Sequence, residues 1–233
     1  RYPSACQTGA LELEAGLGSK NFRFLIQVAS VGLITCFVVL RSLAERESQR
    51  KDLAQIIERE PCAVFAAFLA LHFAVWTALP AALYPNLPLD LIEALTYGRE
   101  WQLGYDKLPP LPWWLVEIVR RLFGPDLFYY ALAQITVIGA FALVWAMARR
   151  VVGPPGALAA ILILDGLHYF NFTAAKFNHD VIQLPFWALA GAAFWAALRD
   201  PSARARLMHW ALLGLAIGVS LWAKYFVVVL AVP

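Results

Sequence analysis

Long apolar runs alternate with short polar segments along most of this chain. Five runs approach or exceed the roughly 20 apolar residues that a membrane-spanning helix needs, and they cover residues 62–84, 127–148, 154–170, 181–198 and 208–232. A sixth run at 24–40 precedes a charged stretch at 41–60 with five basic and five acidic residues. The pattern predicts an all-α polytopic membrane protein with five to six transmembrane helices.

The longest polar segment, residues 85–126, separates two of these runs and carries its own helical signals. Its prolines at 85, 88, 109, 110 and 112 bound a short helix, because proline resists helix interiors. The stretch WWLVEIVRRLF at 113–123 places Glu117, Arg120 and Arg121 on one helical face and most of its apolar residues on the other. We therefore expect two short helices joined by a rigid DKLPPLP turn, the second lying in the membrane interface.

Composition agrees with a membrane protein and excludes other classes. Hydrophobic residues make up 61% of the chain and charged residues 15%, whereas soluble domains are about half apolar and a quarter charged. The net charge of +3 is small and its basic residues are scattered, so no nucleic-acid partner is expected. The three cysteines are too widely spaced to indicate a disulfide framework or a metal site.

Lysine and arginine predict the orientation in the bilayer, because they concentrate in short cytoplasmic loops. Five arginines lie in the two short loops between 127–148 and 154–170 and between 181–198 and 208–232: Arg149, Arg150, Arg199, Arg204 and Arg206. If the spans alternate, these loops share the cytoplasmic side with residues 41–60. Residues 85–126 and 171–180 then face outward, into a periplasm or lumen.

The chain is expected to have two parts. Residues 1–60 form an N-terminal extension with a candidate transmembrane helix, and residues 61–233 form the start of a transmembrane domain. The chain begins with Arg1 and stops at Pro233 within an apolar run, so we interpret it as a portion of a longer polypeptide.

The first candidate site lies on the predicted helix that starts near Leu89. Asp90, Glu93, Tyr97 and Trp101 recur at spacings of three and four, so they share one helical face. A structural alternative is equally open, because Asp followed three residues later by Glu also forms a capping box. Capping would leave Asp106 and Lys107 unexplained.

Asp106 and Lys107 stand in the proline-rich turn, whose restricted backbone can aim a side chain. Lysine suits a phosphate oxygen, although an adjacent Asp and Lys in a loop are usually a solvated pair. The second outward loop contributes Asn178 and Asp180, where Asp180 could equally cap a helix. His168 and His179 are interpreted as polar packing residues. Asp165 and Lys224 interrupt apolar runs, where an ionisable residue indicates function.

These residues together resemble a known family. The outward loop with D-x-x-E, the following G-R-E-W-x-x-G-Y-D-K-x-P-P-L-x-x-W, a later N-x-D and a G-x-x-x-G-x-x-x-x-x-K-Y segment are similar to the N-terminal half of polytopic glycosyltransferases. These form the dolichyl-phosphate-mannose protein mannosyltransferase superfamily, with bacterial relatives that transfer aminoarabinose or galacturonic acid to lipopolysaccharide. The resemblance covers residues 62–233. Leu108 departs from the K-H-P-P of many bacterial relatives.

The resemblance implies a role for each matching residue. Asp90 takes the place of the catalytic loop carboxylate with Glu93 beside it, Lys107 and Asp106 bind the donor phosphate, and further residues support the site: Tyr97, Trp101, Asn178, Asp180 and Lys224. A divalent cation held by Asp90, Asp106 and Asp180 could share the phosphate role. The cofactor otherwise stays unknown.

The resulting hypothesis is a membrane glycosyltransferase, transferring hexose or pentose. It would move sugar from a polyprenyl-phosphate donor in the bilayer to a lipid, glycan or protein acceptor. Its location would be a bacterial inner membrane, with the site facing the periplasm. Two alternatives stay open: a polytopic secondary transporter, whose coupling residues would lie near the bilayer midplane, and a noncatalytic scaffold that binds lipid.

Overall fold

A computed structural model of the chain describes residues 55–231, and all regular elements in that range are helical. The described residues from Ile57 onward form one compact unit. The helices are α1 (Pro61–Leu83), α2 (Leu89–Tyr97), α3 (Leu111–Leu122), α4 (Leu127–Val151), α5 (Gly153–Asp165), α6 (Gln183–Arg199), α7 (Ala203–Ala223) and α8 (Val228–Ala231). Short 3-10 segments cover Gly98–Glu100, His168–Phe170, Ala174–Lys176 and Tyr225–Val227. The predicted all-α class is confirmed.

Three helices in the described range, α1, α4 and α7, are long and apolar enough to cross a membrane. A fourth span results if α5 and residues His168–Lys176, which are bent by 81°, count as one. Helix α6 has 17 residues, so at 1.5 Å per residue it is about 25 Å long, below a typical hydrocarbon thickness. The predicted count of five to six spans is therefore not confirmed.

Two predictions fall largely outside the described residues. The candidate span at 24–40 precedes residue 55, and so does almost all of the predicted extension at 1–60. The division of the chain at residue 60 stays a prediction.

Helix α4 lies at the centre of the bundle, where it packs against α1, α5 and α6, while α7 packs against α6. Its buried face includes Phe141 and Trp145, and the Trp145 ring stacks on Phe65 of α1 at 4.5 Å between centroids. Ring contacts of this kind stabilise beyond the area they bury. This packing places α4 against both α1 and α5.

A polar cluster of the buried residues His72 and Gln134 and the partly exposed Asp165 connects three helices of this bundle. The imidazole of His72 in α1 contacts Asp165 Oδ1 through Nδ1 at 2.8 Å and Gln134 Oε1 through Nε2 at 3.0 Å. Asp165 ends α5, at the bend of the fourth candidate span. Asp165, which the sequence marked as an ionisable residue within an apolar run, therefore contacts His72, 93 positions away. Through His72 it is connected to Gln134, which is 31 positions away.

The two short outer helices predicted by the prolines are present as α2 and α3. Proline occupies the first turn of α3, where its missing N–H leaves no intrahelical bond unmade. Gly98 follows α2 and lies against α3: a Cβ there would stand 2.4 Å from the carbonyl oxygen of Trp113. Glycine is thus required for α2 and α3 to approach this closely.

The polar face of α3 includes a buried carboxylate. Glu117 is fully buried. Arg120 donates to both of its carboxylate oxygens at 2.7 and 2.9 Å, and Arg121 donates to one at 2.7 Å. Hydrogen bonds from Arg120 lower the pKa of Glu117 to about 2, with Arg121 acting in the same direction against the effect of burial.

We expect Glu117→Gln to lower the unfolding temperature by a few degrees at neutral pH. Because folding lowers the pKa of Glu117, its ion pairs stabilise the fold above about pH 4.5, and this contribution is lost as the pH falls towards 2. The difference from the parent in thermal unfolding should shrink over that window. Glu100→Gln, at an exposed position, is the matched control. A Glu117→Gln difference independent of pH would contradict the assignment.

Candidate active site

Polar side chains from four segments of the chain line one cavity of about 270 Å³ beside the two short outer helices. The segments are α2, the turn leading into α3, the turn before α6 and the end of α7. The lining residues are Asp90, Glu93, Lys107, Leu108, Trp113, Asn178, His179, Asp180 and Lys224. Three of them are carboxylates and two are lysines. A volume near the roughly 300 Å³ lower limit of ligand pockets suits a compact headgroup.

Helix α2 brings Asp90 and Glu93 to the cavity, because residues three apart lie on one side of a helix. Its N-cap position is Pro88, which makes no side-chain capping bond. Asp90 lies within the first turn, and its Oδ2 accepts from Asn178 Nδ2 at 2.8 Å. The capping box is therefore absent, and both carboxylates are directed to other partners.

Lys107 is held against Glu93. Its Nζ donates to both carboxylate oxygens at 2.8 and 2.9 Å, and this hydrogen bonding raises the pKa of Lys107. The lysine is therefore a permanent cation at neutral pH. More than half of its side chain is exposed, so the ammonium stays accessible to a ligand that enters from the solvent.

The turn before α6 contributes a strained residue and an amide. Phe177 is buried with φ of 28°, a conformation that costs a non-glycine residue about 1–3 kcal/mol and persists where the surroundings enforce it. The next residue, Asn178, accepts the backbone N–H groups of Asp180 and Val181 at 3.1 Å each through Oδ1. This fixes the amide so that its Nδ2 donates to Asp90, which joins two residues 88 positions apart.

Asp180 pairs with Lys224 across the cavity, with 2.5 Å between Oδ1 and Nζ. Helix α6 begins only at Gln183, so the alternative of Asp180 as a helix cap is wrong. Lys224 follows the last residue of α7 in extended conformation, with φ of −162° and ψ of 133°. The sequence marked Lys224 as an interruption of an apolar run, and the structure shows that the helix ends there.

His179 lines the cavity, although the sequence interpretation treated it as a polar packing residue. It is buried, its Nε2 lies 3.2 Å from the carbonyl oxygen of Pro109, and its ring meets Trp113 edge-on at 5.0 Å. Burial lowers the pKa of His179, so the imidazole is neutral at pH 7. The sequence signal that could have identified His179 as a site residue was its position between Asn178 and Asp180. The contact with Pro109 also fixes the turn that carries Lys107.

Three predicted site residues do not line the cavity. Asp106 is exposed beside Lys107. Tyr97 stacks on Trp113 at 4.7 Å and so supports a lining residue from behind. Trp101 lies beyond the end of α2, with φ of 52°, and stacks on Trp114 at 6.0 Å. The helical face predicted to join Asp90 to Trp101 therefore stops at Tyr97.

The predicted metal site has no preformed ligand set in the part of the chain that the structure describes. Within residues 55–231, no group of three or more His, Cys, Asp and Glu side chains gathers as it would around an ion. Asp180 is paired with Lys224, and Asp106 does not line the cavity. A cation held by Asp90, Asp106 and Asp180 stays a prediction, and no chemical step below depends on it.

The arrangement separates the charges by role. Glu93 and Asp180 each contact a lysine, whereas the hydrogen-bond partner of Asp90 is a neutral amide. Asp90 is thus the lining carboxylate whose hydrogen bond comes from an amide and not from an ammonium group. Two ammonium groups and one such carboxylate can accept a proton and stabilise a departing anion within the same cavity.

Comparison with known proteins gives matches to membrane transferases. A family model described as dolichyl-phosphate-mannose-protein mannosyltransferase matches residues 107–233. An undecaprenyl phosphate-alpha-4-amino-4-deoxy-L-arabinose arabinosyl transferase of Pseudomonas paraeruginosa is 30% identical over 146 residues, covering 59% of this chain and 26% of the relative. Arabinosyl transferase 1 of the same description from Pseudomonas fluorescens is 33% identical over 135 residues, covering 55% and 23%.

These matches have defined limits. The chain spans about a quarter of the length of the curated relatives it matches. The family match includes Lys107, Asn178, Asp180 and Lys224, and it begins after Asp90 and Glu93. No solved structure matches the chain.

Proposed function

The chain belongs to the dolichyl-phosphate-mannose-protein mannosyltransferase family, as the resemblance predicted, and from that premise we propose that its cavity transfers a sugar from a polyprenyl-phosphate donor to a hydroxyl acceptor. The observation that carries the proposal is the joining of two lysines and a carboxylate without a lysine partner in one cavity at the end of a membrane bundle. A donor with a phosphate headgroup and a long prenyl tail needs a polar cavity for the phosphate and an adjacent bilayer for the tail.

In the proposed reaction the acceptor oxygen forms a bond to C1 of the sugar while the bond from C1 to the phosphate oxygen breaks. The acceptor proton passes to the Asp90 carboxylate. The electron pair of the broken bond leaves with the polyprenyl phosphate, whose added negative charge is stabilised by Lys107 and Lys224. Glu93 and Asp180 hold these two ammonium groups before the donor arrives.

The names of the relatives indicate which donor to test first. They are arabinosyl transferases that use undecaprenyl phosphate-linked 4-amino-4-deoxy-L-arabinose, so we propose a pentosyl donor of this kind for the present protein. The full-length protein in proteoliposomes, given this donor and a lipopolysaccharide, oligosaccharide or peptide acceptor, should release undecaprenyl phosphate. Absence of release with all three acceptors, and with a hexosyl donor, would reject the proposal.

The proposed orientation places the cavity on the outer side of a bacterial inner membrane. It is supported by the basic residues at the other ends of the spans: Arg149, Arg150, Arg199, Arg204 and Arg206. The two loops predicted to face outward also meet each other through Asp90 and Asn178. We expect a cysteine at position 203 to resist an impermeant thiol reagent in intact cells and one at position 103 to react. Labelling of position 203 from outside would reverse the orientation.

One observation favours a second candidate, a secondary transporter. Asp165 and His72 form an ionisable pair inside the bundle at a span bent by 81°, a combination typical of coupling sites. A transporter would carry a proton or solute across the membrane of proteoliposomes, and the Asp165→Asn substitution would abolish that flux. The lysine-lined outer cavity has no role in that scheme, so the transferase is the better supported function.

A further inference from the structure

The end of α7 is an irregular segment within an apolar run. The backbone leaves the helix at Lys224 and continues as a 3-10 turn at Tyr225–Val227 before α8. Lys224 N–H still bonds to the Ser220 carbonyl oxygen at 2.8 Å, but the Lys224 carbonyl has only a 3.4 Å contact from the Val227 N–H within the segment. Backbone groups that are removed from water must be satisfied by neighbouring protein.

Gln183 satisfies this break from the adjacent helix. It is the first residue of α6, is buried, and donates through Nε2 to the Lys224 carbonyl oxygen at 3.0 Å and to the Ser220 carbonyl oxygen at 3.3 Å. One side-chain amide therefore bonds to both carbonyls that flank the end of α7. Among the contacts that the described residues make to these two carbonyls, the Gln183 amide is the one from a side chain, and it fixes the position of the end of α7.

Asp180 lies three residues before Gln183 and contacts the other end of the same lysine. The segment 180–183 thus holds Lys224 twice, through its backbone carbonyl and through its ammonium group. The two contacts fix both the origin and the tip of a side chain with several rotatable bonds. This reduces the conformational freedom that the ammonium would otherwise lose when it binds an anion.

From this geometry we propose that Gln183 is a positioning residue for Lys224, so that the ammonium of Lys224 stands ready in the cavity as a second contact for the donor phosphate. The proposal rests on the proposed transferase function for its ligand. The position of Lys224 itself can be measured without any donor.

The first test measures that position directly. In the full-length protein, we expect Gln183→Leu, which replaces the amide with an apolar side chain of similar size, to increase the rate of acetylation of Lys224 several-fold. The reason is that the amine would leave Asp180 more often. Mass spectrometry of the modified peptides reports Lys224 and Lys107 separately, and the Lys107 rate should not change. An unchanged Lys224 rate in folded protein would overturn the proposal, whether or not the protein is a transferase.

The second test is a double-mutant cycle on binding of undecaprenyl phosphate, followed by the fluorescence of Trp113 and the other tryptophans. Loss of a hydrogen bond that fixes a charged group is expected to weaken binding by about tenfold in Gln183→Leu. In a Lys224→Met background the same change should have no further effect, since there is no ammonium left to position. Equal losses in both backgrounds would show a general structural role and contradict the proposal.

Gln134→Leu is the matched control, because it also removes a buried glutamine from a neighbouring helix. Gln134 bonds to His72 and not to the cavity, so its loss should lower thermal stability without changing the Lys224 acetylation rate or the affinity for undecaprenyl phosphate. If the parent binds no undecaprenyl phosphate, the transferase proposal fails, and the acetylation result still decides the role of Gln183.

Discussion

Asp90→Asn in the full-length protein is expected to lower sugar transfer by roughly two or more orders of magnitude, the scale for losing a catalytic base. The substitution keeps the size of the side chain, and an asparagine oxygen can still accept from Asn178 Nδ2, which lies 2.8 Å from the carboxylate. Folding should therefore survive while the group that takes the acceptor proton is lost. Initial rates of undecaprenyl phosphate release at saturating donor measure the effect.

Asp126→Asn is the control for this experiment. Asp126 lies in the same outer segment at the start of α4, where it makes no side-chain capping bond, and it does not line the cavity. The Asp126→Asn variant should transfer sugar at the parental rate. If folded Asp90→Asn protein also transferred sugar near the parental rate, the proposal that the cavity is the active site would be rejected.

Lys107→Ala is expected to lower kcat/KM for the donor by about 10²-fold, the scale for removing one group that stabilises a developing anion. The loss should appear both as a higher KM for the polyprenyl-phosphate sugar and as slower turnover, since the proposed contact of the ammonium with the phosphate exists before and during bond breaking. A rise in KM alone would restrict Lys107 to donor binding. Initial rates over a range of donor concentrations separate the effect on KM from the effect on kcat.

Removal of Lys107 also leaves the Glu93 carboxylate without its cation. The double variant Lys107→Ala with Glu93→Gln tests whether that unpaired charge causes the loss by repelling the phosphate. Lys176→Ala, an exposed lysine of the second outer loop that does not line the cavity, is the matched control and should behave as the parent. Parental kcat/KM in Lys107→Ala would contradict a phosphate contact.

The sequence was sufficient for features that depend on neighbours along the chain. Apolar runs located α1 and α4 to within a few residues, and prolines located α2 and α3. The spacing of Asp90 and Glu93 correctly put both on one side of a helix, because that relation follows from helical geometry alone. Loop position marked Lys107, Asn178 and Asp180, and the interruption of an apolar run marked Lys224. The motif resemblance then implied their roles, and all four line the cavity.

The same reasoning failed where an element ended earlier than its pattern. Helix α2 stops at Tyr97, so Trp101 leaves the predicted face, and α7 stops at Ala223 although the apolar run continues. A run of apolar residues records solubility in the bilayer but not the position of a break. That position depends on whether another helix offers a donor, as Gln183 does for Lys224.

By itself, then, the sequence determined the helical class, the short outer helices and the family, because each depends on local propensity or a contiguous motif. Only the tertiary structure decided the partners: Asn178 for Asp90, Lys107 for Glu93, Lys224 for Asp180 and His72 for Asp165. Apart from Lys107 and Glu93, these pairs join residues from 44 to 93 positions apart. Such contacts depend on how helices pack, and several packings would satisfy the same hydrophobic pattern.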